Sequence, residues 1–204
     1  LTSTAGDVIA TAGGDVTTSA TATIHANKNV KVISTNGVVQ TGGALTAENE
    51  SVTVNAKGNV TNNGAVQAKK DVTLTSTDGA VATASTVTAE GGNVATTAKG
   101  NMTYNAAISA NKEIALQSTD GNIVTAPVAD AYLTAGAHIS LQAENGNAGS
   151  ADNALRIQNN SNTAIDAIAK NAWLKGITND SGDDSDAMTL QTIRVADEFK
   201  AESE

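Results

Sequence analysis

The chain has no cysteine, one proline, and aromatic residues at only 2 % of its 204 positions. The missing cysteine excludes a disulfide framework and thiolate chemistry, and it suits an exported bacterial protein that must stay unfolded during secretion. The scarcity of aromatics argues against a bulky globular core, whereas a narrow interior filled with Val, Ile, Leu and Ala needs none. No apolar run approaches the roughly 18 residues of a membrane-spanning segment. A basic stripe is also lacking. Twelve Lys and Arg stand against 21 Asp and Glu, for a net charge of −9, which speaks against nucleic acid and anionic membrane as partners. Residues 180–204 hold eight acids and two bases, so −6 of that charge is local to the end of the chain. The chain starts at Leu1 without a signal peptide, so a fragment or processed piece is expected.

What the chain does have is repetition. Glycines fall at Gly37, Gly58, Gly79, Gly100 and Gly121, each 21 residues after the last. Two residues past each stands Val39, Val60, Val81, Met102 or Ile123. Eight past stand Leu45, Val66, Val87 and Ile108, and ten past stand Ala47, Ala68, Ala89 and Ala110. A fixed period of this kind marks one structural unit stacked on the next. A longer period overlies it. Residues 56–79 and 98–121 match without a gap at 14 of 24 positions, and the tetrad Ser-Thr-Asn/Asp-Gly recurs every 42 residues from Ser34, Ser76 and Ser118. The unit is therefore a pair of rungs with slightly different corners.

Within each unit apolar residues alternate with polar ones, as in Val52-Thr-Val54, Val72-Thr-Leu74, Ile114-Ala-Leu116 and Ile139-Ser-Leu141. Period two over short runs bounded by Gly, Asn and Asp is the strand signal. Three runs and three corners in 21 residues describe one coil of a parallel β-helix, with each rung hydrogen-bonded to neighbours about 4.8 Å away. Equivalent side chains then stack into ladders. The column Asn36, Lys57, Asp78, Lys99, Asp120 becomes an alternating charge ladder down one corner. Such alternation favours the register, since a slip brings like charges together. Abundant Thr, Asn, Ala and Gly could also signal disorder, but the repeated apolar columns argue against it.

One elongated β-helix over residues 1–204 is expected, with regular rungs at 37–145 and irregular or terminal rungs at 1–36 and 146–204. Leu1–Gly6 reads as a Ser-Thr-x-Gly corner, which leaves one rung plus about ten residues before Gly37. The interval from Gly121 to Gly146 is 25 residues, four more than the period, and the excess falls in Ala126–Tyr132 around Pro127, a corner bulging outwards. Ala154–Ile157 and Trp173-Leu174 read as strands. Met188–Leu190 with Ile193–Val195 reads as a last rung. Polar stretches at Gln158–Thr163 and Thr178–Asp186 separate these segments.

Few residues suggest chemistry. His25 and His138 are the only histidines, far apart in rung number, and both read as satisfied or solvated surface residues. Nucleophilic catalysis needs a base within reach of a serine, and no pairing of that kind is evident. The acidic run Asn179–Asp186 is the best metal candidate, but its spacing matches neither the twelve-residue calcium hand nor a Gly-Gly-x-Gly-x-Asp repeat. It reads as a solvated acidic loop. Tyr104 takes the place of Asn62 in the repeat and is expected on a corner or outer face, and Trp173 as a cap on the core. No catalytic, cofactor-binding or metal residue is assigned, and no cofactor is implied.

The unit GNVTNNGAVQAKKDVTLTSTDGAV resembles the repeats of filamentous haemagglutinin-type adhesins, large bacterial exoproteins exported by two-partner secretion. Gly146–Leu174, with Asn153-Ala-Leu155-x-Ile157, resembles a section of the leukotoxin-like filamentous adhesins of that group. The resemblance spans roughly residues 24–195. It implies a right-handed parallel β-helix on a Gram-negative-type cell surface, in a shaft that presents a binding tip to a receptor or glycan on a host or neighbouring cell. The family's amino-terminal secretion motif and an Arg-Gly-Asp triplet are absent, so no functional residue carries over. A non-catalytic structural and adhesive module is the first expectation. A polysaccharide-binding or polysaccharide-degrading β-helix protein is an alternative, and so is a partner-docking module, self-associating end to end through exposed strand edges.

Overall fold

The chain is an all-β solenoid of stacked parallel rungs. A computed structural model describes residues 1–128, 130–158, 163–177 and 188–203. Among these residues there is no helix, and the successive strand pairings are parallel.

Three faces enclose the core. The long face is built of strands such as Val30–Ser34, Val52–Ala56, Val72–Ser76 and Val94–Ala98. The first short face stacks Val39–Thr41, Val60–Asn62, Val81–Thr83, Met102–Tyr104 and Ile123–Thr125. The second short face stacks Ile24–Ala26, Leu45–Ala47, Val66–Ala68, Val87–Ala89, Ile108–Ala110 and Leu133–Ala135. On each face alternate residues point inward, so Val52, Val72, Val94, Leu45, Val87, Ile108 and Ile114 are wholly buried, one above another. Burying one such side chain contributes about 1.5–3 kcal/mol before chain entropy is counted. Val, Ile, Leu and Ala supply most of this interior, so few aromatics are needed.

The 42-residue period has a specific origin. On the two short faces equivalent residues are always 21 apart over Val39–Ile123 and Leu45–Ile108. On the long face they advance alternately by 22 and 20: Val30, Val52, Val72, Val94, Ile114. One residue moves between two corners from rung to rung. The glycine corner, between the long and first short faces, spans nine positions from Val30 to Val39 and eight from Val52 to Val60. The third corner, which returns to the long face, compensates with seven from Leu45 to Val52 and six from Val66 to Val72.

A serine closes the nine-position corner. Ser76 Oγ accepts from the Gly79 N–H at 3.1 Å and donates to the Gly58 carbonyl of the rung below at 2.7 Å. Ser34 and Ser118 do the same with Gly37 and Gly14, and with Gly121 and Gly100. The eight-position corners carry Ala56 and Ala98 in the same register. The glycines differ accordingly. A Cβ on Gly79 would lie 2.8 Å from both Asn59 N and Gly58 C, and one on Gly121 would lie 2.4 Å from Asn101 N, whereas on Gly100 the nearest atom is 3.3 Å away.

Several expectations require correction. Leu1–Gly6 makes the Ser-Thr-x-Gly bond, Gly6 N–H to Ser3 Oγ at 3.1 Å, but not on the glycine corner, because Thr2 and Ser3 pair with His25 and Ala26, and Gly6 accepts from the Lys28 N–H. It lies on the third corner. The glycine corner below Gly37 is Gly13-Gly14, and the true excess is two residues between Val16 and Ile24. Tyr104 is not on an outer face but wholly buried, because it falls two residues after the inward Met102. Its neighbours in the column, Thr41, Asn62, Thr83 and Thr125, also point inward. Trp173-Leu174 belongs to one 14-residue strand, Ala164–Ile177, and the last rung is a single 15-residue strand, Thr189–Ser203, rather than separate short ones. The four extra residues at Ala126–Tyr132 do form the outward bulge, with Val128 exposed and Ile123 and Leu133 ten positions apart.

Candidate functional site

Stacking places side chains that are about one rung apart in sequence beside each other on the surface, and the third corner uses this to form ladders. Asp7 Oδ1 accepts from the Asn29 N–H, Asn29 from Ser51, Ser51 from Asp71, Asp71 from Asn93 and Asn93 from Glu113, at 2.8–3.2 Å. Each short polar side chain thus satisfies a corner N–H of the next rung, which explains the Asn, Asp and Ser at this position. These bonds hold the Asp7 carboxyl below its usual range, chiefly through the Asn29 N–H. Ion pairs lie beside the ladder: Lys69 with Glu90 at 3.0 Å, Lys70 with Glu50 at 2.6 Å, and His25 with Glu48 at 3.1 Å. Hydrogen bonds from Gln67, then Lys69, lower the Glu90 carboxyl.

The same column gathers the most concentrated charged group among the described residues. Where it passes the long face, Glu113 pairs in register with His138, and Asp166 stands above Ser140, two residues along the same strand. His138 Nδ1 lies 3.2 Å from Glu113 Oε1, and Nε2 lies 3.1 Å from Asp166 Oδ2. The imidazole is about a quarter exposed and links three rungs. A neutral imidazole has one N–H, so both contacts are hydrogen bonds only when the ring is the imidazolium. Asp166 also accepts the Thr192 N–H at 2.8 Å, which fixes the carboxylate. The arrangement is a cross-rung clamp. Among the described residues no group of three or more His, Cys, Asp or Glu side chains is placed to hold a metal ion.

Shallow cavities mark the surface of the described residues. One of about 310 Å³ lies against the bulge, lined by Pro127, Val128, Asn153, Arg156 and Lys175. The cations Arg156 and Lys175 are register partners there. Two more lie on the glycine corner. One of about 330 Å³ is lined by Ser34, Thr35, Asn55 and Lys57, and the other, of about 300 Å³, by their counterparts 42 residues on, Ser76, Thr77, Thr97 and Lys99. The double period is therefore printed on the outside as a repeated dimple.

The remaining sequence candidates are dispersed. His25 and His138 are separated by several rungs and belong to different pairings. Tyr104 is held in the core, where burial pushes its hydroxyl well above the ordinary value and the Thr96 hydroxyl offsets this in part. Trp173 is buried near the end of the stack, Phe199 is exposed on the last strand, and Asn179–Asp186 lies outside the described residues. Sequence reasoning missed the clamp. Its signal was present: Glu113 and His138 both immediately precede an inward isoleucine, but the four-residue bulge hid their alignment. Compared with protein-family models, with curated proteins and with solved structures, the chain matches none.

Proposed function

We propose that this chain is a non-catalytic structural and adhesive module of a large secreted or cell-surface bacterial adhesin, a shaft that holds binding regions away from the cell. The observation that carries the reading is the outer surface of the regular rungs. Column after column presents Thr, Asn, Gln, Ser or Ala at the same height, as in Thr46, Gln67, Thr88 and Ser109. A surface repeated every rung suits extension and many weak contacts, whereas one substrate site would need its groups concentrated at one level. The absence of cysteine and the resemblance to filamentous haemagglutinin-type repeats support export and surface display. A receptor or glycan on a host or neighbouring cell is the partner this role requires.

Two measurements decide the matter. Beads coated with the folded chain should adhere to layers of host or bacterial cells in flow, and a tip of known specificity fused to the chain on a cell surface should lose reach as pairs of rungs are removed. Beads that do not adhere, together with a tip whose reach ignores rung number, would count against the role. Loss of viscosity in a polysaccharide solution on adding the chain would replace it with a depolymerase.

A further inference from the structure

On the glycine corner Lys57, Asp78, Lys99 and Asp120 follow one another up the stack. The Asp78 N–H donates to the Lys57 carbonyl at 2.8 Å, and the Asp120 N–H to the Lys99 carbonyl at 2.7 Å. All four side chains are exposed. The expected ladder is in register, but its members do not pair with one another, and Lys57, Asp78 and Lys99 have no side-chain partner among the described residues. Asp120 accepts only from Asn145, at 3.2 Å. On the third corner, by contrast, Lys69 and Lys70 pair with Glu90 and Glu50. The glycine corner thus presents exposed charges of alternating sign, beside two similar dimples, with no ion pair formed among them.

The order of signs is informative. Read in chain order it is plus, minus, plus, minus, and read in reverse it is minus, plus, minus, plus. A second copy laid alongside and turned end for end therefore sets a lysine against an aspartate at all four levels. A copy laid alongside in the same direction sets like against like in register, and shifted by one rung it makes three opposite pairs, one fewer than the reversed copy. We propose that this corner is a self-complementary surface on which two copies of the chain associate side by side with antiparallel axes. The two-fold axis passes between Asp78 and Lys99, so that Lys57 meets the partner's Asp120. Two-fold contacts of this isologous kind close on themselves and do not propagate.

The contact is weak and salt-sensitive. Four levels span three rung steps, about 14 Å, well short of the roughly 800 Å² per partner of a standard stable interface. Exposed pairs contribute about 0–1 kcal/mol each, and the net charge of −9 on each copy opposes approach. The proposal goes beyond the shaft reading and does not depend on it.

Sedimentation against concentration and salt tests it. The chain should dimerise reversibly at low ionic strength and dissociate as salt is added. Lys57→Asp with Lys99→Asp should weaken the dimer about tenfold or more, and so should Asp78→Lys with Asp120→Lys. An equal mixture of the two variants should restore it. Because the chain has no cysteine, geometry can be read by mild oxidation. Lys57→Cys mixed with Asp120→Cys should form a disulfide-linked dimer, while Lys57→Cys alone should not. A monomer at every concentration in low salt would overturn the proposal. Self-association indifferent to both charge reversals would also overturn it, and would mark end-to-end docking instead. Ready cross-linking of Lys57→Cys with itself would show parallel packing and defeat it equally.

Discussion

The two kinds of glycine corner perform the same turn with different materials. The nine-position corner at Ser76–Gly79 carries one extra residue, binds its own glycine N–H with a serine hydroxyl, and leaves no space for a Cβ. The eight-position corner at Ala98–Gly100 carries alanine in register with that serine and crowds its glycine far less, with the nearest atom 3.3 Å from where a Cβ would stand. Both carry glycine in the repeat, yet only one kind requires it. A repeat column therefore mixes residues held by sterics with residues that merely keep step.

The largest expected effect separates the two directly. Gly79→Ala should cost about 3 kcal/mol, because the rung below is backbone and cannot move aside, while Gly100→Ala should stay within about 1 kcal/mol. Urea melts of the two variants measure the difference, and equal losses would erase the distinction. Rung deletions come next. Removing residues 58–99 joins one eight-position corner to another of the same kind and keeps the alternation, whereas removing residues 58–78 stacks two eight-position rungs and discards Ser76. The shorter deletion should melt at the lower temperature although it retains more chain. The reverse order would mean that corners need not alternate.

Ser76→Ala removes both corner bonds while leaving the Gly58 carbonyl and Gly79 N–H unpaired, so a loss of about 1–3 kcal/mol is expected. Ala98→Ser should not stabilise its corner, which has no extra residue to bind. The smallest effect concerns the core. The Tyr104 hydroxyl meets the Met102 Sδ at 3.7 Å and the Thr96 hydroxyl, so Tyr104→Phe should change stability by less than about 1 kcal/mol near neutral pH. Burial raises the folded-state pKa of this hydroxyl. Above about pH 10 the unfolded chain therefore ionises first and stability falls. Tyr104→Phe should lessen that alkaline loss, and unchanged alkaline melting would place the hydroxyl in contact with water.

Much of this was open to inspection in the sequence. Val39, Val60 and Val81, then Leu45, Val66 and Val87, announced two faces, and the excess around Pro127 announced the bulge. The long face was harder to read because its valines advance by 22 and 20, so no single period aligns them. Tyr104 was misplaced by analogy with Asn62, although counting by twos from Met102 sends both inward. Size and polarity suggested the surface, but the alternation of the strand decided its direction. The His138 clamp stayed hidden because an insertion lies between its members.

The amino-acid order alone determined the rung, its three faces and which residues fill the coil. Strand alternation and a constant repeat length convert directly into inside and outside. Only the folded chain decided which glycines are obligatory, which charges neutralise each other and which stay open. Those outcomes depend on how the backbone turns at each corner, where side-chain direction follows local geometry and no simple period applies. Lys69 reaches Glu90 across one corner, while Lys57 and Asp78, equally close in the repeat, form no ion pair on the next.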